Sequence, residues 1–117
     1  MLSAEEAFRR LAIGDWALLA QLTEPGSDLA RFQVDERTDG LVRVVALVPI
    51  DAPQSSYHAA VEAAVRGGAT LEDLLAALVA VAASVGMPRV VAAAPRIALA
   101  AGYDVLAAPQ GAVDPCG

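Results

Sequence analysis

Apolar residues along this chain recur mostly at intervals of three and four, the spacing of one helix face. Phe8, Leu11, Ala12, Leu18, Leu19 and Leu22 predict a first helix running to about Leu22, with Gly14 as a soft spot within it. Ser3-Ala4-Glu5-Glu6 opens it in capping-box style, a hydroxyl followed three residues later by a carboxylate. TEPGSD then reads as loop, with Pro25 and Gly26 as turn residues. Asp35 is expected to cap a second helix carrying Thr38, Leu41, Val42, Val45 and Ala46 as far as Pro49. Its LVRVVALV run also suits a strand, but no second convincing strand is there to pair with it.

A third helix is expected from Pro53 to Ser55 up to Gly67-Gly68, a pair suited to the left-handed turn past a helix end. Thr70-Leu71-Glu72-Asp73 is an aspartate version of the capping box and starts a fourth helix. That helix is apolar nearly all round (Leu74, Leu75, Leu78, Val79, Val81, Ala82, Val85), which points to a central position or a subunit interface. Gly86 ends it, and Pro88 stands in the first turn of a fifth helix that carries Val90, Val91, Ala94, Ile97, Ala98 and Ala101 to Gly102. Pro95 is expected to kink or split this last helix. The reading is an all-α fold of about five or six helices in a single domain, 1–117, with an irregular tail over 103–117.

Composition narrows the class. Of the 117 residues 56% are hydrophobic and only 4% aromatic, so the core must be built from Ala, Val and Leu. So apolar a chain of this size is expected to bury a face against copies of itself. The net charge is −6 and every cation is an arginine, with no basic stripe to neutralise phosphates. Nucleic acid is therefore not an expected partner, nor is an anionic membrane surface. The run from Leu74 to Val85 is too short to span a bilayer, and the opening MLSAEEAFRR has no apolar signal core. The lone cysteine, Cys116, has no intramolecular disulfide partner, and a cytoplasmic location is expected.

His58 is the single histidine, in the first turn of the third predicted helix. It reads either as a general acid/base in a pocket that Tyr57 and Ser55 help to line, or as a helix-entry residue bonded to a carbonyl or to Glu62. Asp39 and Arg43, four apart, read as a substrate-facing acid and anion clamp, or as a surface ion pair. Arg66, Arg89 and Arg96 are further candidates for an anionic ligand, and Asp51 reads as a cap or turn carboxylate. No second ligand at helical spacing accompanies His58, so no metal is expected, and no other cofactor is implied.

Val34-Asp35 with Thr38, Leu41 and Val42, then His58, then Gly68-Ala69-Thr70-Leu71-Glu72-Asp73-Leu74, then Gly86-Met87-Pro88 follow one another in an order and spacing that resembles the carboxymuconolactone decarboxylase family of the alkylhydroperoxidase D-like superfamily. The resemblance covers about 34–102, the helical core of the chain. It implies an all-helical subunit that assembles into a homotrimer or homohexamer. The redox branch of that superfamily joins a glutamate, a C-x-x-C pair and a histidine in a proton relay. Here the thiol positions fall at Asp51 and Gln54 and the acid position at Asp39, so thiol peroxidase activity is not expected. The decarboxylase branch keeps the histidine without the thiols and acts on small carboxylated lactones. His58 matches its proton-transfer position, with Asp39, Arg43 and Tyr57 as candidate substrate-binding residues. The alternatives are a non-catalytic relative that binds a small ligand or partner protein, and an oxidoreductase accessory working through Cys116.

Overall fold

The computed structural model describes residues 1–106. Among them are six α-helices and no strand: α1 (Ala4–Ala12), α2 (Trp16–Thr23), α3 (Glu36–Ala46), α4 (Gln54–Arg66), α5 (Leu71–Val85) and α6 (Met87–Ala100), with a single 3-10 turn at Ala30–Phe32. Where the sequence reads as one domain, the contacts gather into two compact units, Met1–Val34 and Asp35 onward.

In the first unit, the long helix expected from Ser3 to Leu22 is two helices. Gly14 takes a left-handed φ of +79°, which ends α1. Asp15 then caps α2, its Oδ1 accepting from the Leu18 N–H at 2.9 Å, and its other oxygen accepts from Arg10 Nε at 2.8 Å. A glycine followed by an aspartate supplies a stop and a start in adjacent positions. Only half of the expected Ser3 box forms: Ser3 Oγ accepts from the Glu6 N–H at 3.1 Å, while the Glu6 carboxylate pairs with Arg9.

In the second unit, α3 packs on α4, and α6 packs on both α4 and α5. Asp35 caps α3 as expected, accepting from the Thr38 N–H at 3.0 Å. LVRVVALV is therefore helical through Ala46 and then turns. The Thr70–Asp73 box closes fully: Thr70 Oγ1 accepts from the Asp73 N–H at 3.1 Å, and Asp73 Oδ2 accepts from the Thr70 N–H at 2.9 Å. The Asp73 carboxylate also takes a two-pronged bond from Arg37, at 2.7 and 3.1 Å, which ties the start of α5 to α3. Arg37, and after it the Thr70 amide, hold the Asp73 carboxyl well below the usual carboxylate range.

The core of this unit is aliphatic with one aromatic: Val44, Val61, Ala64, Leu74 and Ile97 share a buried cluster with Tyr57. On the other side of α5, Leu75 and Val79 are 61% and 65% exposed, so the all-round apolar helix is half buried and half bare. α6 runs unbroken through Pro95, which removes the expectation of a split.

Candidate functional site

A cleft of about 440 Å3 opens in the second unit where four elements meet. Val48 and Asp51 come from the turn after α3, Tyr57 from α4, Val85 from the end of α5, and Arg89 and Ala92 from α6. Local sequence explains how each arrives. Pro49 halts the second-unit apolar run, and Asp51 turns the chain with a φ of +48°, a conformation that aspartate tolerates better than most residues. Pro53 then serves as the N-cap of α4, which sets Tyr57 one turn into the helix and inward. Gly86, at φ +86°, reverses the chain from α5 into α6 and brings Arg89 to the cleft.

Polar contacts fasten the rim. Arg96 Nη1 donates to Asp51 Oδ1 and to the Ala52 carbonyl, both at 2.8 Å. Gln54 Nε2 donates to the Arg96 carbonyl at 2.8 Å, and Arg89 Nη1 to the Pro49 carbonyl at 2.8 Å. Asp51 and Gln54 are thus both tied to Arg96. Neither offers a group that could be oxidised.

Tyr57 is only 1% exposed, yet it lines this cleft, and among the described residues its hydroxyl has no hydrogen-bond partner. Burial pushes the phenol above its ordinary value, with Asp51 adding to the shift and Arg96 opposing it. It therefore presents a neutral O–H, a donor as well as an acceptor.

His58 stands elsewhere. Successive helical residues differ by about 100° in direction, so with Tyr57 facing inward the next side chain faces solvent. His58 is exposed, and among the described residues nothing pairs with it. Glu62, its proposed structural partner, accepts instead from Arg66 Nη1 at 3.2 Å. Asp39 and Arg43 pair with each other at 2.8 Å on α3, both half-exposed or more, and do not line the cleft. The structure brings together Asp51, Gln54, Tyr57, Arg89 and Arg96, and leaves His58, Asp39 and Arg43 outside that group.

Sequence reasoning missed the Asp51–Arg96 pair, whose members are 45 residues apart and joined by no periodicity. Cys116 lies outside the described residues. Among the described residues no group of three or more His, Cys, Asp or Glu could hold a metal ion, and no helix is long and apolar enough to cross a membrane. No protein-family model, curated protein or solved structure matches the chain.

Proposed function

We propose that the chain is a carboxymuconolactone decarboxylase-like subunit of a homotrimer or homohexamer, acting on a small carboxylated or lactone-type metabolite with His58 as the proton-transfer group. The observation that carries this reading is the unengaged ring. Neither Glu62 nor any other described side chain holds His58, so the ring is open to a small molecule bound beside it. The bare apolar positions of α5 and α6, Leu75, Val79 and Val91 among them, supply a face on which another copy can close a site around an exposed residue.

The chemistry is a cleavage followed by a protonation. The bond between the carboxylate and its α-carbon breaks, carbon dioxide leaves, and the electron pair stays behind as an enolate. The imidazolium of His58 delivers a proton to that carbon as a general acid and is recharged from water. The test is carbon dioxide release from a panel of carboxylated lactones by the wild type and by His58→Ala. A loss of roughly 100-fold or more on removing the ring is expected. Equal turnover in the variant overturns the reading.

A second reading rests on a different observation: the cleft excludes His58 and is lined by Tyr57 and Arg89. On this reading the protein binds a small ligand without transforming it. Saturable ligand binding with no turnover by the wild type would select it.

A further inference from the structure

We infer that the cleft beside Tyr57 is a carboxylate-binding site for a small, partly apolar monoanion, with Arg89, the Tyr57 hydroxyl and the open N-terminus of α6 as its three donors. The inference names the chemical class of the ligand in the second reading above, in which the cleft binds a small molecule, and so rests on that reading.

Three independent features converge on the same hollow. The first is the start of α6, a helix of 14 residues whose N-cap, Gly86, provides no side-chain hydrogen bond. The first N–H groups of a helix lack intrahelical acceptors, and the helix dipole makes that end attractive to anions. Pro88 has no N–H and the Val90 N–H donates to the Gly86 carbonyl at 3.2 Å, which leaves Arg89 as the cleft-lining residue of this turn with an open N–H. The second feature is Tyr57. The Tyr57 side chain is 1% exposed, and its hydroxyl, which no described protein group holds, is not sealed from solvent, so it is a donor left open to the cleft. A ligand oxygen at the cleft floor would match it. The third is charge. Asp51 is the acid of the lining, and Arg96 already pairs with it at 2.8 Å. Arg89 spends one Nη1 bond on the Pro49 carbonyl and keeps the rest of its guanidinium for a guest. One positive charge is left over, which suits one carboxylate.

The rest of the wall is apolar. Val48, Val85 and Ala92 present methyl groups, so the body of the ligand is a hydrocarbon ring or short chain and not a second charged group. This feature separates a carboxylate on an apolar frame from inorganic phosphate, which would leave those methyl groups uncovered.

The experiment titrates the full-length protein with benzoate, benzyl alcohol and inorganic phosphate, following backbone amide shifts by NMR and heat by calorimetry. Benzoate is expected to bind saturably, shifting the amides of Tyr57 and Arg89. Arg89→Gln should weaken it roughly tenfold, as for loss of a charge-assisted pair, and Tyr57→Phe several-fold. Both variants should fold, because Arg89 is exposed and the Tyr57 hydroxyl holds no protein partner. Benzyl alcohol and phosphate should each bind at least tenfold more weakly than benzoate. No saturable benzoate binding, equal binding of benzyl alcohol or phosphate, or unchanged affinity in both variants overturns the assignment. His58→Ala separates the two proposals. Intact benzoate binding with turnover unchanged in that variant sinks the catalytic reading alone, while turnover that depends on His58 with no benzoate binding sinks this one alone.

Discussion

Gly40 of α3 lies directly against Ala64 of α4: a methyl group at Gly40 would stand 2.3 Å from the Ala64 Cα and 2.7 Å from its backbone nitrogen. No pair of carbon atoms tolerates that approach, so the absence of a side chain at Gly40 sets the spacing of the two helices. A few residues away Gly67 is equally confined, with a methyl there 2.6 Å from the Arg37 nitrogen. The cleft hangs from this contact, because α4 carries Tyr57 and the end of α3 leads into the turn that carries Asp51.

Gly40→Ala therefore tests the packing. Alanine is the better helix former by about 1 kcal/mol, but overpacking costs about 1–3 kcal/mol and more where backbone must move. A net loss is expected, read as a melting temperature lower by about 5 °C or more. Adding Ala64→Gly should not restore it, since the clash is with backbone atoms and not only with the Ala64 methyl.

Acid should destabilise the fold through its capping aspartates. Asp73, Asp35 and Asp15 all titrate below their ordinary value, held first by Arg37, by the Thr38 hydroxyl and by the Leu18 amide respectively. A carboxyl whose folded pKa is depressed contributes stability that is complete above its unfolded pKa and is lost as pH falls through the folded one. The melting temperature should thus be flat near neutrality and fall below about pH 4. In Asp73→Asn it should start lower at pH 6, with the gap to wild type closing as the solution becomes strongly acidic.

His58→Ala should leave stability within about 0.5 kcal/mol of wild type, since an exposed, unpaired ring supports nothing in the fold. Matched thermal melts check this. A large loss of stability would show that the ring is held after all and would weaken the proposed proton-transfer role.

Leu74 and Leu75 are neighbours in sequence with opposite surroundings, 1% and 61% exposed. Leu74→Ala should cost about 2–5 kcal/mol of folding stability by opening a core cavity. If the proposed assembly uses this face, Leu75→Glu should leave a folded chain with unchanged far-ultraviolet circular dichroism but shift the sedimentation profile toward the monomer. An unshifted profile would mean that this face of α5 does not join copies.

The order of the helices was legible because each boundary is a local event. Asp35 and Thr70 cap by bonding a backbone N–H three residues on, Gly86 reverses the chain by itself, and apolar spacing marks the buried stripe. Gly14-Asp15 is a local signal of the same kind, a stop followed by a start, masked by the apolar stripe that continues across it. Tertiary structure alone decided the cleft. Nothing in a neighbouring residue indicates that Arg96 reaches back to Asp51, that Gly40 admits Ala64, or that the turn into α6 delivers Arg89 beside Tyr57. Those relations depend on how helices distant in sequence settle against one another, which is governed by the shape and volume of whole faces. For the same reason the sequence singled out His58 by its chemistry, whereas packing made Tyr57, one residue earlier, the buried wall of a hollow.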